Sequence, residues 1–328
     1  MLKPFFIFLL LVVSYSGFSA EKFKGISFSS PEEQVRLKHI SPIQKMNANW
    51  IAVVPYGYMK NKKIIYDKDG QWLGERLDGI RKTVKYSKQL GLKVMIKPHV
   101  WIGPGKYTGH FKCSTEEEWQ AFEKSFRSFI MQLVDLAVEE KVELFCIGAE
   151  WGNFVVMRSK FWRQLIKDIR AKYDGELTYG SNWDDFDQVP FWNQLDYIGI
   201  DSYFPISKIE NPTIPQLMEG WKVITALLRD FHKKKKKGIL FTEFGFRSTI
   251  NATIDPWDFG SDATYSEEVQ SNAFASFFKS LWKEEWFKGG FIWEWYANHE
   301  SAGGKGDKDY TPQNKLAEKT IRAAFATN

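Results

Sequence analysis

Cysteine is nearly absent from this chain. Two thiols in 328 residues, Cys113 and Cys146, cannot form the framework of a disulfide-stapled fold, and a core of this size does not need one. Histidine is scarce too, at five. His110 and Cys113 make an H-x-x-C pair without the second pair a zinc site requires, so neither a metal nor another cofactor is expected. A glycine-rich phosphate turn is missing: "SFSSPEEQ" follows the first apolar run, and "GPGKYTG" at 103–109 lacks the G-x-x-x-x-G-K-[ST] spacing. It reads as a loop lining a cleft. Neither sign of charge dominates, with 45 Lys and Arg against 40 Asp and Glu. The most basic run, "HKKKKKG" at 232–238, follows an apolar helical pattern and reads as a solvated helix end at the negative pole of the dipole. No nucleic-acid partner and no obligate protein partner are expected. Beyond the first 20 residues, no apolar run is long enough to span a membrane.

Those first residues, "MLKPFFIFLLLVVSYSGFSA", carry one lysine, an apolar run over 4–13, and then small and polar residues. That is the form of a secretory signal peptide over 1–20, with cleavage after Ser16, Ser19 or Ala20. An uncleaved anchor is the alternative. Export to the periplasm, the cell surface or the medium follows. Residues 21–328 show no linker rich in Pro, Gly or Ser and no internal repeat, so one domain is expected there.

What the chain has in quantity is aromatic surface: 16% of residues, 14 of them Trp. Indoles stack on the flat C–H faces of sugars, and they also fill cores. The apolar pattern alternates between short runs and amphipathic helices. Strands are read at 25–30, 49–58, 93–101, 142–151, 176–184, 197–205, 238–246 and 289–298. Helices are read at 76–91, 114–140, 161–173, 214–233, 267–285 and 312–325. The 114–140 helix opens on a capping box, Ser114 with Glu117 or Thr115 with Glu118. Eight β/α units predict a single-domain α/β fold, a (β/α)8 TIM barrel; a doubly wound sheet is the alternative.

In such a barrel the site lies at the C-terminal ends of the strands. The residues there are Tyr56, His99, Trp101, Glu150, Asn182, Trp183, Tyr203, Glu243, Trp293 and Glu294. Glu150 in "LFCIGAEWG" and Glu243 in "ILFTEFGF" end the fourth and seventh strands, which face each other across a barrel mouth. Paired carboxylates there suit glycoside hydrolysis, one protonating the leaving oxygen and the other attacking or activating water. Burial against Trp151 is one way to raise the acid's pKa. A local ion pair at each strand end is the alternative for either glutamate alone.

These motifs, with the Tyr in "GIDSYFP" and the Trp in "GGFIWEWYAN", resemble glycoside hydrolase clan A, and within it family 113, over the whole mature chain. The resemblance implies a retaining endo-β-1,4-mannanase acting on mannan, glucomannan or galactomannan. It makes Glu150 the acid/base and Glu243 the nucleophile, with Tyr203 holding the nucleophile and Trp293 flooring the sugar subsite. Many clan members carry Asn directly before the acid/base; here Ala149 stands there, which suits a sugar whose 2-hydroxyl points elsewhere, and Asn182 can supply an amide instead. His99, Trp101 and Trp183 are further candidates for sugar contacts. Strand parity puts Lys97 and Asp201 a layer deeper, as a structural ion pair. The rival readings are an endoglucanase or other β-glycanase on the same barrel, a non-catalytic carbohydrate-binding protein, and an interaction scaffold.

Overall fold

The computed structural model describes residues 21–260 and 262–327; the expected signal peptide lies outside the described residues. Eight parallel strands close into a barrel: β1 (Phe23–Ser29), β2 (Trp50–Val53), β3 (Lys93–Ile96), β4 (Leu144–Ala149), β5 (Glu176–Asn182), β6 (Ile198–Ser202), β7 (Ile239–Phe244) and β8 (Phe287–Tyr296). Each pairs with its neighbours in sequence, and β8 returns to β1. This is the (β/α)8 architecture expected from the alternation of strands and helices.

Side-chain alternation divides each strand between two cores. Phe23, Trp50, Met95, Leu144, Cys146, Leu240 and Phe291 point inward and fill the closed end of the barrel. Gly25 makes room for them, since a Cβ there would lie 2.3 Å from the Phe291 ring. The outward set, including Ile26, Phe28, Val94, Ile96, Phe145, Ile147 and Phe241, packs against the helices. The Glu116–Glu139 helix starts where Thr115 Oγ1 accepts the N–H of Glu118 at 3.2 Å and Glu118 accepts the N–H of Ser114 at 2.7 Å. Its stripe of Trp119, Phe122, Phe126, Phe129, Leu133 and Leu136 is buried throughout. The Ile214–Lys235 helix runs into the lysines and stops at Lys236, which takes the left-handed conformation. Both cysteines are free and buried. Among the described residues no helix is long and apolar enough to cross a membrane.

Two expected strands prove composite. The runs at 49–58 and 93–101 leave the barrel near Pro55 and Pro98, which lack the N–H a ladder needs. Beyond them the chain forms a separate small sheet of Tyr56–Lys60, Lys63–Ile65 and His99–Trp101, in which Tyr56 pairs with His99 and Tyr58 with Trp101. A helix at Leu37–Gln44, with Pro42 inside it, was not expected from the pattern.

Candidate active site

Three strands lose register just where their polar residues stand. On β4, Cys146 pairs with Thr178 but Ala149 with Gly180. On β7, Phe241 pairs with Ile200 but Glu243 with Asp201. On β8, Ile292 pairs with Ile26 but Trp295 with Phe28. Each shift inserts one residue, and a bulge re-aims the side chains beside it. Thr242 and Glu243 consequently both turn into the barrel, and Trp293 and Glu294 both line one cleft. The Trp293–Glu294 peptide is cis. Glu294 therefore faces the cleft, on the same side as its neighbour Trp293, because of the β8 bulge.

Glu243 sits in a web of donors. Lys97 Nζ lies 2.5 Å from its Oε2 and 2.9 Å from Asp201 Oδ1. Thr242 Oγ1 donates to the same Asp201 oxygen at 2.7 Å. The Tyr203 hydroxyl donates to Glu243 Oε1. His99 Nε2 is 3.7 Å from Oε2, and its ring stacks on Trp293 with centroids 5.6 Å apart and planes 5° apart. Parity alone paired Lys97 with Asp201 as a structural contact. The β7 bulge brings Glu243 to the same ammonium, so the lysine reaches the candidate machinery. Burial pulls the Lys97 ammonium down, but Asp201 and Glu243 outweigh it and hold it charged. Burial pushes the Glu243 carboxyl up, and the Lys97 charge, with hydrogen bonds from Lys97 and Tyr203, draws it partly back. Burial and the Lys97 charge keep His99 neutral, well below the usual imidazole range.

Glu150 has the opposite surroundings. It follows β4 with φ of 55° and donates its N–H to Gly180 O at 2.7 Å. A Cβ on Gly180 would stand a tight 3.0 Å from Asp201 Oδ2 and 3.1 Å from Thr242 Oγ1. Among the described residues no group donates a hydrogen bond to the Glu150 carboxyl. Burial lifts it well above the ordinary range, and Asp201, Glu243 and Asp185 add to the rise against the pull of Lys97. Trp151 is not the cause. Its indole packs outward against Phe111, Phe122, Phe126 and Phe154, because the next residue along the chain faces the helix layer. Tyr107, from the 103–109 loop, lies near enough for Glu150 to push up its hydroxyl.

A cleft of about 1030 Å³ opens beside this pair. Neither Glu150 nor Glu243 lines it; Trp293 joins it to them through the stack on His99. Tyr56, Tyr58, Trp72, Trp101, Tyr296, Glu75 and Glu294 form much of its wall. Trp101 is 48% exposed there. Trp183 lies elsewhere, stacked on Trp257 at 5.0 Å and 17°. Asn182 pairs with Asp201 in the ladder and spends its amide on Asp184 Oδ1 at 2.8 Å. Sequence reading did not select Trp72, Glu75 or Asp185, which lie in loops, or Tyr296, the last residue of β8. Among the described residues no group of three or more His, Cys, Asp or Glu is arranged to hold a metal ion.

The sequence matches Glycoside Hydrolase Family 113 over residues 19–315. No curated protein matches. Among solved structures, the GH113 β-mannanase AaManA from Alicyclobacillus acidocaldarius, in complex with ManMIm, is 24% identical with a TM-score of 0.80, covering 93% of this chain and 97% of that one. A GH113 β-1,4-mannanase solved as a complex is 21% identical with a TM-score of 0.81, covering 94% of this chain and 100% of that one. A β-glucuronidase from Faecalibacterium prausnitzii is 16% identical with a TM-score of 0.63, covering 93% of this chain and 49% of that one. At these identities the likeness shows a shared fold.

Proposed function

This chain belongs to glycoside hydrolase family 113, and from that membership we propose an exported, retaining endo-β-1,4-mannanase that cleaves mannan, glucomannan and galactomannan. The observation that carries the assignment of roles is the contrast between the two glutamates. Glu243 receives Lys97 and Tyr203, donors that favour its charged form. Glu150 receives none, and Asp201, Glu243 and Asp185 oppose its ionisation. Environments that separate two carboxyls in this way divide acid from nucleophile.

Glu243 attacks the anomeric carbon while Glu150 passes its proton to the departing glycosidic oxygen. Glu150, now a carboxylate, takes a proton from water, which opens the glycosyl ester with the original configuration restored. Lys97 and Tyr203 hold the Glu243 carboxylate in line for attack and stabilise it again as it leaves. His99, uncharged, presents a hydrogen-bonding edge rather than a proton. Trp293 floors the sugar next to the cleaved bond, and Trp101 and Trp183 are platforms for further units. The family likeness of the mannanases named above supports the choice of mannan. The segment 1–20 supports export, testable by N-terminal sequencing of the exported protein.

The test is a polysaccharide panel with the mature chain and its Glu243→Ala variant. Products from mannans that vanish in the variant, and NMR showing the β-anomer formed first, are expected. Activity confined to cellulose or xylan would keep the chemistry and reject mannan. Mannan bound without any turnover would favour a carbohydrate-binding protein instead.

A further inference from the structure

The cleft beside Trp293 is one-sided in charge. Glu32, Glu33, Glu75 and Glu294 line it, and among the described residues no Lys, Arg or His does. Its place in the barrel fixes what enters it. Its wall comes from β1, β8 and the small sheet beyond β2 and β3, on the far side of the barrel from β4 and β5. An acid on β4 sends the leaving group out past Glu150, so this cleft receives the glycone. Aromatic rings share the lining with these carboxyls: Tyr56, Tyr58, Trp72, Trp101 and Trp293, flat faces on which sugar C–H surfaces stack.

Two of the carboxyls are built in rather than exposed. Glu75 is buried; its Oε2 accepts from Tyr58 at 2.9 Å, and among the described residues nothing bonds its Oε1. Tyr66 and Gln71 complete its surroundings. Glu294 accepts from Ser29 and from Tyr296 at 3.0 Å, while the same Tyr296 hydroxyl lies 2.8 Å from Asp309. One phenolic proton cannot serve two carboxylates. Burial first, then Asp309 and Glu243, hold the Glu294 carboxyl up at about 7 against those donors. Burial first, then the charges of Glu294, Glu243 and Glu75, pushes the Tyr56 hydroxyl up.

We propose that this cleft is a charge filter on the glycone side, accepting neutral sugar units and rejecting units with a C6 carboxylate, with Glu75 and Glu294 as the specificity-determining residues. The proposal rests on the assignment of Glu150 and Glu243 as the reacting pair. A uronate placed there meets carboxyls with no cation to compensate, and charge repulsion in a partly desolvated site is weakly screened. The discrimination grows with pH as Glu294 ionises, whereas the uronate is charged throughout.

The test compares 4-nitrophenyl β-1,4-mannobioside with the same glycoside oxidised to the acid at C6 of its non-reducing unit, which release of nitrophenol forces into the cleft. A preference in kcat/KM of about 30-fold or more for the neutral compound is expected at pH 8, shrinking toward pH 5. The Glu75→Gln/Glu294→Gln double variant should bring the ratio toward one whatever its absolute rate; single Glu75→Gln serves if the double variant does not fold. A wild-type ratio near one, or a ratio that neither pH nor the variants change, overturns the filter. If only the matching cellobioside is cleaved, mannan specificity fails and the ratio is read on that pair. If neither is cleaved, calorimetry with the two mannobiosides decides, and equal affinity or no binding overturns the proposal.

Discussion

Lys97 and Glu243 touch inside the barrel: the ammonium lies 2.5 Å from the carboxylate, with the lysine side chain wholly buried and the glutamate nearly so. The same nitrogen holds Asp201 at 2.9 Å. One cation thus serves two carboxylates. Replacing it by Met leaves both without compensation, and breaking a buried pair costs about 3–5 kcal/mol. Lys97→Met should lower the melting temperature at pH 7. It should also move the acid limb of kcat/KM to higher pH, because Glu243 must be ionised to attack and Lys97 is what draws its pKa down. A limb that stays in place would assign the lysine to folding alone.

Tyr203 donates to the other oxygen of the same carboxylate. A hydrogen bond to a charged group is worth about 1.5–3 kcal/mol, so Tyr203→Phe should reduce kcat by roughly 10- to 100-fold. The ring keeps its edge contact with Tyr310, 5.8 Å between centroids, so the melting temperature should fall only by what the lost hydrogen bond to the buried carboxylate contributes. Wild-type kcat in the variant would remove Tyr203 from the machinery.

Glu150 must carry its proton to act as an acid. Its carboxyl lies well above the usual range, so activity should fall on the alkaline side as it ionises. Glu150→Gln should abolish that limb and cut polysaccharide hydrolysis by several orders of magnitude. Aryl mannosides with good leaving groups, which need no protonation, should still form the glycosyl-enzyme and show a burst of phenol. Equal losses on both substrates would point away from an acid role.

The residues that were legible in sequence are those at which a simple rule holds. An apolar run ending in a carboxylate marks Glu150 and Glu243, and eight apolar runs alternating with helical patterns give the barrel. What escaped depends on bulges. No residue type announces that β7 will insert Thr242 and turn Glu243 toward Lys97, or that β8 will turn both Trp293 and Glu294 to one side. Trp151 does not wrap Glu150, because successive side chains alternate and its indole meets Phe122 and Phe126 in the helix layer. Pro55 and Pro98 did carry a signal: a ladder cannot continue unchanged through them, and the small sheet that holds Tyr56, Tyr58, His99 and Trp101 begins there. Glu75 and Trp72 come from a loop, where periodicity says nothing.

Two partly buried carboxyls outside the reacting pair make stability depend on pH in a direction opposite to that of ordinary surface acids. Glu294 and Asp185 are each held up at about 7, the first by burial and then Asp309, the second by burial and then Asp184. Unfolding returns them to the usual carboxylate range of about 4. Between those values the folded state binds more protons than the unfolded one, so stability falls as pH rises. The contribution is complete below about pH 4 and gone above about pH 7, and each group contributes on the order of 1–3 kcal/mol across the window. Glu150 and Glu243 are shifted the same way. Carboxyls held low, such as Glu21 and Glu284 beside Lys24 and Arg229, act in the other direction but finish titrating at lower pH. His99 and His39, held neutral by burial, oppose these carboxyls below the free imidazole value of about 6.5, so the decline in melting temperature should appear between about pH 6.5 and pH 8. Glu294→Gln should flatten that decline, since its amide keeps two polar atoms for Ser29 and Tyr296 without a charge to develop. Scanning calorimetry of both proteins from pH 4 to 8 checks this, and a wild-type melting temperature that is level or rising above about pH 6.5 would show that these carboxyls ionise freely in the folded state.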